Sequence, residues 1–337
     1  MGIFGTKRPV ARLAFAAKPI SGPYGGCNQW QLQVTNYLRA CGYECRYDLR
    51  GEVDAIVVTH IGLSGKLAFD LADIREYKKR HPRTLVIHRI NDNDQRKGTK
   101  EMNPRLAAYD AISDYRVFIS DWLRDHHAAD WFDPAKPNAT ILNGAEPSVF
   151  HPVGSRTWKP GEKFRFVTHH WSDNWAKGFD VYRQFDELLA AGKYPDLEFW
   201  VIGRWPKEIQ WKAAKTFGAC SGHELADLLR QCHGYLTASR YEPGGMHFIE
   251  GMQCGQPVLF HEEGGGIVEL AATQGVGFDS TNFETKLAEF LGKYPQFREG
   301  ILKTPPSGDW MCLQYRRVIQ QLLAQKNSEE NRKAGIF

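Results

Sequence analysis

The sequence predicts an α/β protein made of two doubly wound domains, each a parallel sheet with helices on both faces. The first observation is length, because 337 residues exceed one ordinary core and fit two domains of roughly 150 residues each. The second is an alternation of short apolar runs with longer amphipathic segments. The third is a break in this alternation at 146–164, which is rich in proline, glycine and charge. Ligands of such sheets bind at the carboxyl ends of the strands, so we expect a cleft between the domains.

The first domain is predicted to span 1–152. It opens with a strand at 12–17, the glycine-rich loop "KPISGPYGGCN" and a helix that ends near Gly42, which is the usual start of a nucleotide-binding fold. Further strands are predicted at 54–60, 84–90, 115–120 and 138–144, and helices around 69–81, 103–112 and 121–132.

The second domain is predicted to span 160–308. Strands are predicted at 164–171, 197–203, 234–239 and 257–262, and helices at 179–192, 222–232, around Glu250, 266–275 and 282–294. The last segment, 311–326, has the periodicity of a long amphipathic helix.

The composition is that of an ordinary globular protein, with 42% hydrophobic and 24% charged residues. The net charge of +4 indicates a weak preference for anionic ligands. The sequence has no clustered stripe of basic residues, so we expect no nucleic-acid partner. No segment has the ~20 consecutive apolar residues of a transmembrane helix. Seven scattered cysteines indicate reduced thiols and a cytoplasmic location.

No metal site or other cofactor is predicted. Cys41 and Cys45 have a spacing that begins some metal sites, but a second ligand pair at suitable spacing is missing. The adjacent His169 and His170 likewise have no carboxylate or histidine partner at helical spacing.

The stretch "SRYEPGGMHFIEGMQC" predicts an anion site. A strand ends before it and a helix begins within it, so unpaired backbone N–H groups meet the positive end of a helix dipole. The glycines allow an anion to approach the backbone closely. The expected donors are Gly244, Gly245, Met246 and His247.

Two acids flank this predicted anion site. Helical spacing would place Glu242, Met246 and Glu250 on one face, with the acids on the order of 12 Å apart. A nucleotide-sugar has that length, with hydroxyl groups at both ends and a diphosphate between them. Carboxylates accept hydroxyl hydrogen bonds, and such a ligand would make their burial tolerable.

The stretch "EPGGMHFIEGMQCGQPV" resembles the signature of retaining glycosyltransferases of the GT-B fold, of the family 4 or group 1 type, which includes sucrose-phosphate synthases and many bacterial mannosyl- and glucosyltransferases. Other segments follow in that family's order: "GPYGGCN", "FISDWL", "ILNGAEPSVFHP", "NWAKGFD" and "GHELADLLRQC". The resemblance implies two Rossmann-like domains, with the acceptor on the first and the donor on the second. It also implies that the helix at 309–326 crosses back to brace the first domain.

The resemblance assigns roles to residues of this chain. Glu242 would bind hydroxyl groups of the donor sugar, Glu250 the ribose, and Lys177 the leaving diphosphate. His88 is expected at the end of a strand, pointing into the cleft near the reacting sugar. The remaining donor-binding candidates are Gly25, Gly26, Gly203 and Arg204, and the acceptor-side candidates are Asn91, Asp92 and Arg96.

Two positions depart from the family pattern. Ser172 stands where an arginine is usual, five residues before Lys177, so another group, such as His170 or Arg204, would have to help Lys177 meet the phosphate charge. Gly244 stands where a phenylalanine is common, which would widen the sugar pocket.

The implied function is retaining transfer of a hexose from a nucleotide diphosphate sugar to a saccharide or glycoconjugate, without a metal. Two alternatives stay open. A relative with epimerase or phosphorylase activity would share the fold, because fold alone does not determine function. A non-catalytic nucleotide-sugar binding protein would explain the absence of an arginine at Ser172, although the presence of both Glu242 and Glu250 argues against it.

Overall fold

The structure, a computed structural model, describes residues 9–20, 22, 24–59, 61 and 67–333. These residues contain two sheets of six strands, and every strand pair in both sheets is parallel. Helices connect most successive strands and cover the sheets. The predicted class, two parallel-sheet α/β domains, is confirmed.

The first domain has the glycine-loop opening that the sequence predicts. Its strands are β1 (Arg12–Phe15), β2 (Glu44–Arg46), β3 (Ala55–Val58), β4 (Leu85–Ile90), β5 (Tyr115–Phe118) and β6 (Asn138–Thr140). Its helices are α1 (Gly26–Ala40), α2 (Leu71–Arg80), α3 (Asp94–Lys97), α4 (Met102–Asp110) and α5 (Asp121–Ala128). The strand order is β2-β1-β3-β4-β5-β6. Strand β4 lies inside this sheet and is buried from Val86 to Ile90, as its apolar run requires.

The second domain is also a parallel sheet of six strands, with a different strand order. Its strands are β7 (Phe164–His170), β8 (Leu197–Gly203), β9 (Lys215–Phe217), β10 (Gly234–Thr237), β11 (Val258–His261) and β12 (Gly275–Phe278), ordered β12-β11-β10-β7-β8-β9. Its helices are α6 (Phe179–Ala190), α7 (Gly222–Arg230), α8 (His247–Gln253), α9 (Ile267–Ala271) and α10 (Phe283–Lys303). Buried aromatic side chains fill one face of the sheet, including Phe164, Phe166, Phe185 and Phe290.

The last helix, α11 (Gly308–Lys333), packs on the first domain although it follows the second. Met311, Cys312 and Tyr315 are buried in the same core as residues of β1 and α1. The Tyr315 ring meets the Trp30 ring edge-on, with 5.1 Å between the centroids. The chain therefore returns to the first domain after completing the second, and α11 packs in the core of the first domain.

Four short elements differ from the sequence prediction. Strands β2, β9 and β12 and helix α3 lie where the sequence indicates loops or the end of a helix. Each of these strands gains its hydrogen bonds from a neighbouring parallel strand, and this partner is not visible in the local pattern. Of the predicted strand at 54–60, His60 lies outside the described residues.

Within the described ranges, no helix combines the length and the apolar character needed to cross a membrane.

Candidate active site

A cleft of about 550 Å³ lies between the two domains. Its walls come mainly from the segments that follow the carboxyl ends of β1, β4, β7 and β10, as expected for facing parallel sheets. In its described lining, six basic side chains outnumber three acidic ones: Lys18, Arg89, Arg96, Lys97, Lys177 and Arg204 against Asp92, Glu242 and Glu250. This excess of positive charge favours a polyanionic ligand.

Most of the predicted site residues line this one cleft. They are Gly25, Gly26, Lys177, Arg204, Glu242, Gly244, Gly245, Met246, His247 and Glu250. Ser172 and His170 also line it. Tertiary folding thus brings together segments that lie far apart in the sequence.

The centre of the site is one carboxylate shared by two cations. Oε2 of Glu242 accepts hydrogen bonds from Nζ of Lys177 at 2.8 Å and from Nε of Arg96 at 3.0 Å. Burial opposes ionisation of the carboxyl group, but the two cations outweigh it and lower the pKa of Glu242 to about 2. Burial lowers the pKa of Lys177, and the negative charge of Glu242 opposes that shift. The carboxylate therefore stays ionised at neutral pH.

Local backbone geometry positions Lys177. It ends a 3-10 turn, Trp175–Lys177, that Asn174 caps by accepting the Ala176 N–H at 2.8 Å. Gly178 follows with φ +87°, a left-handed conformation, and joins the turn to α6. A Cβ on Gly178 would lie 2.3 Å from the carbonyl oxygen of Ala238, so only glycine fits this close approach. The sequence pair Lys177-Gly178 is thus one structural unit.

Glu242 lies on a turn before α8 and not on the helix itself. Helix α8 begins only at His247, so the expectation that Glu242, Met246 and Glu250 share one helix face is wrong. The backbone of Glu242 instead pairs with the glycine run that follows β11, since its carbonyl accepts the Gly266 N–H at 2.9 Å. This pairing, and not helical spacing, orients the carboxylate.

Glu250 lies on α8 and is held by a buried histidine. Its Oε2 atom is 2.7 Å from Nε2 of His169, and Nδ1 of His169 is 3.0 Å from the Tyr235 hydroxyl oxygen. The side chains of His169 and Glu250 are 0% and 8% exposed. Because the hydrogen bond engages one carboxylate oxygen and Glu250 lines the cleft, the carboxylate can also accept ligand hydroxyl groups.

The glycine turn of the second domain faces the glycine loop of the first. A Cβ on Gly26 would lie 2.6 Å from Cγ of Met246, so the two loops touch across the cleft. His247 begins α8 with its Nε2 atom 2.9 Å from the Thr237 hydroxyl oxygen, and burial lowers its pKa well below the usual value. His247 is therefore a neutral group beside the glycine turn.

A second interdomain contact lies beside the cleft. The carboxylate of Glu269 accepts the backbone N–H groups of Asp121 at 3.0 Å and Trp122 at 2.5 Å. These are the first two residues of α5, so an acid of the second domain caps a helix of the first. The two domains thus meet through specific polar contacts.

His88 does not point into the cleft, contrary to expectation. Strand β4 continues to Ile90, so His88 is a mid-strand residue, and successive side chains of a strand point to opposite faces. His88 is fully buried against Tyr109, and within the described structure neither ring nitrogen has a hydrogen-bond partner. Burial lowers its pKa to about 3. Its position is that of a core residue.

Gly203 is also absent from the described cleft lining. It has φ +109°, and a Cβ there would lie 2.0 Å from the carbonyl oxygen of His170. The glycine allows β8 to end close to β7. The next residue, Arg204, donates its backbone N–H to that carbonyl at 2.8 Å and lines the cleft.

Arg89 and Asn143 are among the cleft residues that sequence reasoning missed. Arg89 follows His88 on β4 and points to the opposite face, where it donates to the side chains of Asn143, Thr59 and Tyr315. A charged residue inside an apolar strand was the available signal for Arg89, and for Asn143 it was the quoted stretch "ILNGAEPSVFHP", to which no residue role was assigned. Arg96, an acceptor-side candidate, lines the cleft from the first domain and contacts Glu242.

The chain is similar to known proteins both in sequence and in structure. Residues 174–289, which include Lys177, Glu242 and Glu250, match the family model described as glycosyl transferases group 1. Sequence comparison with curated proteins finds no match.

Many solved structures share the architecture. The sucrose-phosphate synthase from Thermosynechococcus elongatus is 14% identical, with a TM-score of 0.65 over 94% of this chain and 100% of that chain. Anabaena HepE, solved with UDP and glucose, is 13% identical, with a TM-score of 0.63 over 92% and 99%. An alpha-glucosyltransferase, solved with UDP-glucose and DNA that contains an abasic site, is 11% identical, with a TM-score of 0.61 over 92% and 99%.

At these identities, structural similarity establishes the fold, and the family match establishes the class of the second domain. The matched residues contain the Lys177-Glu242 pair and Glu250, which line the cleft. Residues 174–289 are therefore a group 1 glycosyltransferase domain, and the chain is a glycosyltransferase with the GT-B fold.

Proposed function

We propose that the protein transfers a hexose from a nucleotide diphosphate sugar to a saccharide or glycoconjugate acceptor, with retention of the anomeric configuration and without a metal. The observation that carries the proposal is the cluster of Lys177, Glu242 and Arg96 in the interdomain cleft. A diphosphate matches its positive charge, and the carboxylate matches the hydroxyl groups of a sugar.

The two acids give the donor a direction. Glu242, beside Lys177, would accept hydroxyl hydrogen bonds from the sugar, and Glu250, held by His169, those of the ribose diol. The turn at Gly244 and Gly245 lies in the sequence between the two acids and lines the same cleft. The diphosphate would lie along this turn, where small residues permit a close approach.

Charge development in the reaction suits this site. The bond between C1 of the sugar and the phosphate oxygen breaks, its electron pair goes to the leaving diphosphate, and the acceptor oxygen bonds to C1 from the same face. The acceptor proton passes to the departing phosphate oxygen. Lys177 would stabilise the negative charge that grows on the leaving group, which is electrostatic catalysis by preorganised donors.

Direct transfer on one face is supported by the state of the carboxylates. A double displacement needs a carboxylate available to attack C1. In the described lining, Glu242 is paired with two cations, Asp92 with Lys97 at 2.9 Å, and Glu250 with His169. The same pairings support metal independence, because these carboxylates already have partners. NMR of the product anomer and activity in excess EDTA test the two points.

The acceptor would bind on the first-domain wall, which carries Tyr24, Gln29 and Asn91. These side chains offer an aromatic face and amide groups, which suit a saccharide. The alpha-glucosyltransferase of similar fold was solved with DNA, so oligonucleotides belong in the acceptor panel beside saccharides and glycoconjugates.

A cytoplasmic location is also part of this proposal. It is supported by the cysteines, which form no disulfide within the described residues.

The test is a thermal-shift panel of UDP-, GDP-, ADP- and TDP-sugars, followed by turnover assays with the acceptor panel. A ligand of the folded state raises the melting temperature by mass action. We expect one nucleotide base to stabilise the protein and Glu250→Gln to weaken the shift, with Glu299→Gln on the surface of α10 as the control. A shift without transfer to any acceptor would favour a binding protein, and release of nucleotide without an acceptor would favour an epimerase. The absence of any shift would refute a nucleotide-sugar enzyme.

A further inference from the structure

Arg96 carries a positive charge from the first domain to the donor site of the second. It lies on α3, and its Nε atom is 3.0 Å from Oε2 of Glu242, a residue 146 positions later in the chain. Nζ of Lys177 contacts the same oxygen at 2.8 Å. The side chains of Arg96, Lys177 and Glu242 are 11%, 12% and 14% exposed. The two cations are therefore neighbours, contributed by different domains.

The turn that carries Arg96 is firmly held. The side chain of the fully buried Asn93 accepts the Arg96 N–H at 2.6 Å. Asp94 accepts the N–H groups of Met102 at 2.8 Å and Asn103 at 3.0 Å, which fixes α3 against the start of α4. Because the backbone is fixed and the side chain is already held against Glu242, Arg96 loses less conformational entropy when it binds a ligand.

The cluster has more positive charge than its carboxylate balances. Lys177 and Arg96 contribute two positive charges, and Glu242 contributes one negative charge. Within the described residues, Nε of Arg96 has a side-chain partner, whereas hydrogen bonds from Nη1 and Nη2 are absent. Because Arg96 lines the cleft, its remaining donors are available to a ligand there. A guanidinium group presents donors in a fork that matches two oxygens of a phosphate.

We propose that Arg96 is a phosphate ligand of the donor and acts with Lys177 on the leaving diphosphate. This inference rests on the proposed function and deepens it, because it adds a catalytic residue from the acceptor domain. As the bond from C1 to the phosphate oxygen breaks, its electron pair adds negative charge to the leaving group, and both cations oppose that charge. Ser172 contributes no charge to the cleft, and Arg96 of the first domain is the cation that shares Glu242 with Lys177.

The site is consequently complete only when the two domains are in contact. Separation of the domains would leave Lys177 and Glu242 on the second domain and remove Arg96 with the first. Hydrolysis of the donor by water would then be slower in the open arrangement, and release of the nucleotide product would be easier. Arg96 thereby couples phosphate binding to domain closure.

The experiment measures how much each phosphate contributes to binding. Isothermal titration would compare a nucleoside with its mono- and diphosphate, using whichever of UDP, GDP, ADP and TDP stabilises the wild type most. In Arg96→Gln we expect the gain in affinity from nucleoside to diphosphate to fall about ten- to a hundredfold, the usual cost of a lost charged hydrogen bond. Arg105→Gln, which removes a partly exposed charge of the same domain, should keep the wild-type gain.

A second variant distinguishes a phosphate ligand from a purely structural partner of Glu242. Arg96→Lys keeps the positive charge but loses the paired donors of the guanidinium group. Its gain in affinity from nucleoside to diphosphate should therefore lie between those of the wild type and Arg96→Gln. If both variants keep the wild-type gain, or if affinity for the nucleoside falls as much as affinity for the diphosphate, Arg96 does not bind phosphate. If the wild type binds no nucleotide at all, the proposed function fails instead.

Discussion

Asn143 of the first domain donates a side-chain N–H to the carbonyl oxygen of Gly244 in the second domain, at 2.7 Å. The amide oxygen of Asn143 accepts a hydrogen bond from Nη2 of Arg89 at 2.9 Å. Arg89 itself is almost fully buried, with its guanidinium carbon 4.2 Å from the centre of the Trp30 ring. The core of one domain thus fixes the glycine turn that would bind the donor on the other.

Replacing Asn143 by aspartate should slow transfer without unfolding the protein. The new carboxylate would still accept from Arg89, but it would face the Gly244 carbonyl without a donor. We expect kcat/KM to fall by about tenfold, which corresponds to the loss of one buried hydrogen bond of about 1.4 kcal/mol. Steady-state kinetics would measure this, with Asn138→Asp on β6, outside the described cleft lining, as the control. Equal kinetics in both variants would show that the contact does not position the turn.

Glu242→Gln should separate nucleotide binding from turnover. Without the negative charge, Lys177 and Arg96 lose the group that partly neutralises them, so a nucleoside diphosphate should bind at least as tightly as to the wild type. The amide accepts sugar hydroxyl groups less strongly, and we expect turnover to fall on the order of a hundredfold. Titration with the diphosphate and kinetics with the complete donor would show the split. Weaker binding of the diphosphate would contradict the charge argument.

Gly178→Ala should destabilise the protein and displace Lys177. At φ +87° an alanine is strained, and its Cβ would lie 2.3 Å from the carbonyl oxygen of Ala238. Gly192 has φ +73°, but a Cβ there would meet no atom within 4 Å, so Gly192→Ala isolates the cost of the left-handed backbone.

The two glycine variants should differ in both stability and activity. We expect Gly192→Ala to cost about 1 kcal/mol of unfolding free energy, and Gly178→Ala to cost about 1–3 kcal/mol more. Only Gly178→Ala should reduce transfer, because it moves the turn that carries Lys177. Chemical denaturation measures the stability effect and steady-state kinetics the effect on transfer. An equal loss of unfolding free energy in the two variants would mean that the backbone at Ala238 shifts to accommodate the new Cβ.

His88→Leu should reduce the acid sensitivity of folding. Burial lowers the pKa of His88 from 6.5 to about 3. Between these values the unfolded chain binds a proton that the folded chain does not, so the stability contribution is complete above pH 6.5 and is lost as the pH falls toward 3. The slope is at most about 1.4 kcal/mol per pH unit. Leucine does not bind a proton, so the unfolding free energy of His88→Leu should depend less on pH in that range.

Denaturation between about pH 7 and pH 4 would measure the effect of His88→Leu, with the exposed His223→Leu as the control. Transfer activity at neutral pH provides a second readout, because His88 lies outside the described cleft lining. A large loss of activity in a folded His88→Leu variant would contradict the position of this residue in the core.

Local sequence patterns predict the class of the fold and part of the site. Apolar runs and amphipathic helices are encoded by neighbouring residues, so both parallel sheets and most helices could be predicted. The glycine turn at Gly244 and Gly245 and the acids Glu242 and Glu250 belong to one stretch of sequence. Their presence in one cleft with Lys177 followed from the rule that ligands bind at the carboxyl ends of parallel strands.

The residues that complete the site are evident only once the two domains have folded and packed together. Arg96 and Glu242 are 146 positions apart, and Asn143 and Gly244 are 101 apart, so no local pattern links them. The strand that carries His88 was predicted to end at 90, as β4 does, but packing of the sheet decides which of its two faces meets the cleft, and that face carries Arg89. Contacts across the cleft depend on how the two domains pack together. That packing is set by the folded surfaces of both domains, which residues distant in the sequence build.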